Sequence, residues 1–192
     1  MEQTLVRMGL MIHIVSAMAL MAGLVIELLS GHLLTRAEDT SQVRVLGKAA
    51  EFGGRLAALS LLVLLLSGPD LASRSGFFEG SGVQGWVAIA IVMIVVMGAA
   101  GGMINRRTFK ALVALAGPTG ADPVSGDLRA AMAKPTAWIS MHTIVGATLA
   151  IIWLMSNKPL GVVDSIVPVL IGAGIGAVAG VAVARLTSTR LA

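Results

Sequence analysis

The chain has 192 residues, of which 56% are hydrophobic and only 12% are charged. Soluble domains carry about 25% charged residues, and a mean hydropathy of +0.90 leaves too little polar surface to cover a water-facing globule. The composition therefore excludes an ordinary soluble protein and predicts one that lies in a lipid bilayer. A single domain is expected at this length, with no room for a soluble catalytic domain beside the spans.

Cysteine is absent, which excludes disulfides, thiolate catalysis, iron–sulfur clusters and cysteine-ligated zinc. The net charge of +4 and the isoelectric point near 10.4 need no nucleic-acid partner, because the positive-inside bias of membrane proteins explains them. Any metal site must therefore use histidine, methionine or carboxylate side chains.

Five apolar stretches reach or approach the roughly 20 residues that a helix needs to cross the hydrocarbon core. They are Met8 to Leu29, Ala49 to Ser67, Trp86 to Ile104, Ala137 to Met155 and Ile166 to Val183. The sequence predicts an all-α, polytopic membrane bundle forming one transmembrane domain over residues 1–192. Four helices are expected to form its core, with a glycine-rich fifth helix beside them.

The connections between these stretches carry turn-forming residues. Loops are predicted at Ser67-Gly68-Pro69-Asp70 and at Gly117-Pro118-Thr119-Gly120, because glycine and proline interrupt helices. The longest connection, from Asn105 to Pro135, is expected to contain two short surface helices, Lys110 to Leu115 and Leu128 to Lys134.

Lysine and arginine are divided unevenly between the two sides of the predicted bundle. Three lie on the side of the N-terminus, whereas ten lie on the other side and Arg55 falls within the second span. Since positive charge is retained in the cytoplasm, the N-terminus is expected outside and the C-terminus inside the cell.

Ionisable side chains in hydrocarbon cost at least about 2.5–3.5 kcal/mol on insertion scales, so each is a candidate functional residue. At about 100° per residue, His13 and Glu27 share one face of the first helix with Ser16 and Gly23. That face is expected to point into the bundle. The methionines of this helix fall around the opposite side, which disfavours a copper site built from them and His13.

The fourth helix repeats this pattern, with His142, Gly146 and Ala150 on one face. Small residues beside a histidine leave room for a flat cofactor ring, but helices also use small residues to pack together. Two interpretations of each histidine therefore stay open, namely a cofactor ligand and a side chain hydrogen-bonded to a neighbouring helix.

The expected depths of the histidines in the membrane limit how iron could be held. His13 and His142 differ in depth by about 15 Å across a core of about 30 Å, so one iron cannot easily bind both. Met93, about 3 Å deeper than His13, is the better second ligand. His32, just beyond the first span, is expected to be an interface residue.

A polar cluster is predicted nearer the cytoplasmic side. Glu51 and Arg55 stand four residues apart on the second helix, the spacing and order that favour an ion pair. Arg55 is expected to neutralise Glu27 and Glu51 or to hold a cofactor carboxylate, with an ion pair reaching to the interface as the alternative. Glycines of the third helix at this depth, Gly98, Gly101 and Gly102, predict free space beside the cluster.

The fifth helix carries Gly172, Gly176 and Gly180 at four-residue intervals. Such a stripe lets another backbone approach closely. The partner helix can belong to this chain or to a second copy, so a homo-oligomer or a larger membrane complex is a possible outcome.

Several of these segments resemble a known group of proteins. They are His13-Ile-Val-Ser-Ala-Met-Ala-Leu-Met-Ala-Gly23, Arg55-Leu-Ala-Ala-Leu-Ser, Leu66-Ser-Gly68 and a span with His142 that ends in Ile152-Trp-Leu-Met-Ser-Asn-Lys-Pro159. The pattern resembles the copper-resistance D (CopD) and HemJ-like group of small bacterial membrane proteins, over residues 8 to 159. The tryptophan that often follows the first-helix histidine in that group is absent, and the fifth helix is additional.

The resemblance implies a helical bundle of the bacterial inner membrane, with copper or b-type haem as cofactor and His13 as a ligand. The first hypothesis is thus a haem b protein that transfers electrons or senses a small ligand, with a membrane oxidoreductase as one form of it and with His13 and His142 as candidate iron ligands. A structural or accessory membrane subunit without a cofactor and a copper-handling membrane protein are the alternatives.

Overall fold

A computed structural model describes residues 2–75 and 84–191 of the chain. The helices are α1 (Glu2–Leu34), α2 (Thr40–Arg74), α3 (Gly85–Ala100), α4 (Arg106–Leu115), α5 (Gly126–Met132), α6 (Pro135–Asn157) and α7 (Val162–Leu191). A π-helical segment, Gly101–Asn105, joins α3 to α4 without a break. The described residues form no strand, apart from an isolated bridge between Asp39 and Pro123, which confirms the all-α class.

Five stretches of the described chain are long and apolar enough to cross a membrane. They are Gln3–Leu34, Thr40–Arg74, Gly85–Leu115, Gly126–Asn157 and Val162–Thr189, and each contains one predicted span. The helices outrun those spans because their polar ends continue past the hydrocarbon. The 35 residues of α2, for example, rise roughly 52 Å against a core of about 30 Å. The prediction of a multi-pass membrane bundle is confirmed.

Two local predictions are wrong. Helix α2 continues through Ser67-Gly68-Pro69-Asp70 to Arg74, because a transmembrane helix tolerates an internal proline and the Arg74 guanidinium pairs with Asp70 at 2.9 Å in the final turn. The segment Lys110 to Leu115 belongs to α4, which continues the third span. The loop at Gly117-Pro118-Thr119-Gly120 is confirmed, and both of its glycines have positive φ, 72° and 94°.

Glycine brings the backbones of α1 and α2 into contact. A Cβ atom added to Gly23 would lie 2.7 Å from the Gly53 carbonyl oxygen and 2.7 Å from the Ala57 nitrogen. A Cβ added to Gly53 would lie 2.8 Å from the Glu27 nitrogen. Since real Cβ contacts are longer than this, the two helices pack through main-chain atoms in the manner of small-residue membrane interfaces.

Helices α6 and α7 form a second pair of this kind. Gly172 faces Gly146, and a Cβ on Gly172 would lie 2.5 Å from the Gly146 oxygen. Gly176 faces the His142 carbonyl, and a Cβ on Gly180 would lie 2.6 Å from the Ile139 Cα. The glycine stripe therefore packs within its own chain, which answers the question left open by the sequence. These three glycines are not available to a second copy.

Helix α3 lies between the two glycine-packed pairs, with Ala90, Ile94 and Met97 in the central apolar core. A second core around Phe109, Leu128 and Trp138 lies where α1 ends and where α2 and α6 begin. We call this side the basic end, because it carries the positively charged residues Arg36, Arg44, Lys48, Arg106, Arg107, Lys110, Arg129 and Lys134.

The connection between α4 and α5 is held against the start of α2 at the basic end. Arg44 donates to the carbonyl oxygens of Ala116 and Gly120, and the Thr40 N–H donates to Asp122. Asp39 caps α2 by accepting from the Gln42 N–H. Hydrogen bonds from the Ser41 hydroxyl and Gln42 hold the pKa of Asp39 below its usual value.

The α6–α7 packing predicts different effects for two neighbouring glycines. Gly176→Leu should lower the free energy of unfolding by about 1–3 kcal/mol, the usual cost of overpacking, because its side chain would meet the His142 backbone. Gly174→Leu should leave stability nearly unchanged, since nothing lies within 4 Å of a Cβ there. Thermal unfolding in a mild detergent measures both, and equal losses of stability would contradict the packing.

Candidate functional site

A cavity of about 210 Å³ lies beside His13, away from the basic end, and we call it the His13 pocket. Its walls come from α1, α2, α3 and the end of α6. Most of the lining side chains are apolar. The residues that matter for its chemistry are His13, Gly68, Trp86, Met155 and Lys158.

The hydrogen bonds of His13 determine which ring nitrogen is free. The Ser67 hydroxyl donates its proton to the Val63 carbonyl at 2.7 Å, so Ser67 Oγ acts as an acceptor towards His13. The Nδ1 atom of His13, 3.0 Å away, must then carry the proton and donate it. We assign this tautomer from the hydrogen-bond pattern, and it leaves Nε2 with a lone pair, the state that binds metals.

Gly68 leaves space for the His13 ring to pack against α2. A Cβ at this position would lie 3.4 Å from His13 Cε1, so a larger residue would press against the imidazole. The sequence Ser67-Gly68, predicted to end the helix, instead supplies both the hydrogen-bond acceptor and the space for the ring.

Other predicted ligands lie elsewhere. Met93 packs against Ala150, Leu154 and Val169, between α6 and α7, and does not line the His13 pocket. His142 lies near Trp138 towards the basic end. The structure thus does not bring His13, Met93 and His142 together. The methionine in the His13 pocket is Met155, which sequence reasoning missed because it depends on how α6 is rotated.

The small residues near the histidines serve helix packing. Gly23 contacts the backbone of α2, and Gly146 contacts that of α7, so neither provides the space for a ring that the sequence suggested. Met8, Met11 and Met18 are 56–68% exposed on the outer surface of α1, in agreement with their predicted position opposite His13.

A second cavity, of about 360 Å³, opens beside Glu27, and we call it the Glu27 pocket. It brings together the charged residues of the predicted inner cluster and the glycines of α3 expected beside them. The members of that cluster that line it are Glu27, Glu51, Arg55, Gly98, Gly101 and Gly102. A cavity of this size falls in the range of small-molecule sites.

The predicted ion pair of Glu51 and Arg55 is present in the Glu27 pocket, whereas the predicted pairing of Arg55 with Glu27 is not. The Arg55 guanidinium lies 3.4 Å from the Glu51 carboxylate and is 62% exposed. Glu27 is 4% exposed and belongs to neither ion pair found among the described residues. Its carboxylate lies over Gly54, where a Cβ would be 3.6 Å from Oε2. Arg55 therefore reaches outward to Glu51, and the expected pairing with Glu27 is wrong.

Asn105 is the polar neighbour of Glu27. It ends the π-helical segment, is 1% exposed, and neither its amide oxygen nor its amide nitrogen has a hydrogen-bond partner of normal geometry among the described residues. The π-helix often occurs at functional positions. Sequence reasoning assigned Asn105 to a connection, although an amide just after the glycine pair 101–102 and at the depth of Glu27 is a signal that could have identified it.

A cluster of aromatic rings lies between α1 and α6 near the basic end. The ring centroid of His32 is 5.1 Å from Trp138 and 5.6 Å from His142. Each histidine donates Nδ1–H to the carbonyl four residues before it, Leu28 at 2.9 Å and Trp138 at 2.8 Å. His32, predicted to be an interface residue, is therefore a neighbour of His142. The packing of α1 against α6 brings the two rings together.

The His13 pocket, the Glu27 pocket and the cluster of aromatic rings differ in chemistry. The His13 pocket combines apolar walls with one free imidazole nitrogen, which suits an apolar group that carries a metal. The Glu27 pocket offers buried hydrogen-bonding groups. Within the described residues, no group of three or more histidine, aspartate or glutamate side chains could hold a metal ion.

No family model, curated protein or solved structure matches this chain. The resemblance to the CopD and HemJ-like group therefore stays a prediction from the quoted segments.

Proposed function

We propose that this membrane protein binds b-type haem in the His13 pocket, with His13 Nε2 as an axial iron ligand. One observation carries the proposal. The Ser67 hydroxyl accepts the Nδ1 proton of His13, so an unprotonated Nε2 is held in a largely apolar cavity. Histidines that bind metals in proteins almost always donate their other N–H to such a partner, which fixes the tautomer and raises ligand basicity.

The donor set of the pocket suits an iron porphyrin. Met155 packs against Trp86 and Val87 and lines the cavity with His13, so its thioether is the candidate second ligand. Histidine and methionine together are a known axial pair for haem iron. Met155 takes the role that the sequence gave to Met93.

The remaining walls suit the rest of the cofactor. Trp86, 6% exposed, and aliphatic side chains would give a bound ring apolar contacts, and Lys158 would offer a positive charge to a propionate. Arg55 lines the Glu27 pocket, so it cannot serve a cofactor bound at His13. The cavity is smaller than a whole porphyrin. Binding therefore requires rim side chains such as Leu10, which is 48% exposed, to move outward.

Bound haem would supply one-electron chemistry at its iron, which fits electron transfer or the sensing of a small ligand as a membrane oxidoreductase or sensor. The protein would hold the iron through His13, orient the His13 imidazole through Ser67 and exclude water. Axial ligand and burial are the means by which a protein sets the potential of haem.

A structural or accessory role without a cofactor is the second candidate. It is favoured by the use of Gly23 and Gly146 in helix packing, since these residues then give no evidence for a ring. Copper handling has weaker support, because the methionines of α1 face outward.

The chain is a multi-pass membrane protein whose immediate partner is the lipid bilayer. We place it in a bacterial inner membrane with the N-terminus outside and the C-terminus in the cytoplasm. The ten lysine and arginine residues on one side against three on the other support this orientation.

Protein purified from cells supplied with haem should show a Soret band, and this band should be lost in His13→Ala because the iron loses its axial nitrogen. His142→Ala is the matched control and should keep the band, since His142 lies outside the pocket. Absorption spectra of the oxidised and reduced protein measure both. Wild-type protein without a Soret band would leave the structural role as the better account.

Met155→Leu should keep the haem but change its coordination from six to five ligands, visible as a low-spin to high-spin change in the absorption and magnetic circular dichroism spectra. Met93→Leu should keep the wild-type spectrum, because Met93 packs between α6 and α7. If Met93→Leu alone changed the spin state, the assignment of Met155 would be wrong.

A further inference from the structure

The imidazoles of His32 and His142 form a pair at the contact of α1 and α6, separate from the His13 pocket. Their centroids are 5.6 Å apart and their planes are inclined by 66°. We call them the histidine pair. The feature does not depend on haem, because neither ring lines the His13 pocket.

Both rings are held in the same tautomer. A backbone carbonyl can only accept a hydrogen bond, so the contacts of His32 with Leu28 O and of His142 with Trp138 O place the proton on Nδ1 in each ring. Each neutral ring therefore keeps an unprotonated Nε2. A carbonyl oxygen on the other nitrogen is one of the usual partners of a metal-binding histidine.

The separation of the rings matches two ligands of one ion. With a metal–nitrogen bond of about 2.0–2.1 Å, the centroid of an imidazole lies roughly 3.2 Å from the metal that it binds. Two rings at a tetrahedral angle then have centroids roughly 5.2 Å apart, and at 120° roughly 5.5 Å. The measured 5.6 Å agrees with these values, and tetrahedral geometry leaves the tilt between the ring planes free.

We propose that the histidine pair binds a first-row transition-metal ion for which imidazole is a suitable ligand, represented by Zn²⁺. Two Nε2 atoms supply the protein ligands, and water fills the other positions. The Trp138 ring lies beside both imidazoles, with its centroid 5.1 Å from that of His32 and 6.4 Å from that of His142. The described residues add no third histidine or carboxylate to the pair, so its affinity is lower than that of a closed structural zinc site.

Such an ion would connect the two glycine-packed halves of the bundle. His32 belongs to the α1–α2 pair and His142 to the α6–α7 pair, and comparatively few residues of α1 and α6 touch directly. A ligand that binds only the folded state stabilises it. Metal binding at the histidine pair should therefore raise the free energy of unfolding.

Zinc titration of the purified, haem-free protein in detergent tests this. The protein should carry no polyhistidine tag and be stripped with a chelator, and binding should be followed by competition with a chromophoric chelator. The titration uses His13→Ala as its background, because the unprotonated Nε2 of His13 would otherwise compete for the ion. We expect one Zn²⁺ per chain in this background, with affinity lowered about tenfold or more when His32→Ala or His142→Ala is added. Met93→Leu in the same background is the control and should bind Zn²⁺ unchanged.

Thermal unfolding gives a second readout. In the His13→Ala background Zn²⁺ should raise the melting temperature, and this increase should be lost when either histidine of the pair is replaced. If an alanine variant fails to fold, His32→Gln and His142→Gln keep the ring site polar while removing the imidazole. The proposal is overturned if Zn²⁺ does not bind saturably to the His13→Ala protein, or if folded variants of the pair in that background bind it equally well.

Discussion

The constraint on which this structure depends is that polar atoms in hydrocarbon need a partner. Most polar side chains of the spans find it on their own helix, in the carbonyl four residues earlier. Ser16, Ser60 and Thr148 do so through their hydroxyls, and His32 and His142 do so through Nδ1. Partners within one helix leave the second nitrogen of each ring free for a ligand.

Some polar groups depart from this rule, and two of these departures lie beside the two cavities described above. His13 reaches across to Ser67 on α2, beside the His13 pocket. Glu27 has no cationic partner among the described ion pairs, and its neighbour Asn105 is buried without a normal hydrogen bond, beside the Glu27 pocket. Glycine contacts hold α1 closely against α2 and α6 closely against α7. Helix α3 packs between these two pairs, and it lines both cavities.

Hydropathy was enough to predict the five spans, because each depends on composition alone. Hydropathy did not predict where the helices end. Helix α2, for example, continues past Pro69, because a proline within a membrane helix is tolerated. The inner cluster was predictable from depth, because Glu27, Glu51 and the glycines of α3 are aligned by the rise of their helices. Contacts between helices were not predictable. The Arg55–Glu51 ion pair within α2 was predicted from its spacing, but the lack of a pair between Arg55 and Glu27 was not. The positions of Met155, His32 and Asn105 depend on how each helix is rotated against its neighbours.

Both proposed metal-binding sites depend on the protonation of the imidazole nitrogens. Nitrogen-15 NMR of the metal-free and haem-free protein in lipid nanodiscs, with labelled histidine, reads that state for each ring. We expect protonated Nδ1 and unprotonated Nε2 resonances for His13, His32 and His142, assigned by single substitutions. Protonated Nε2 on His13, or rapid exchange between its two tautomers, would contradict this expectation.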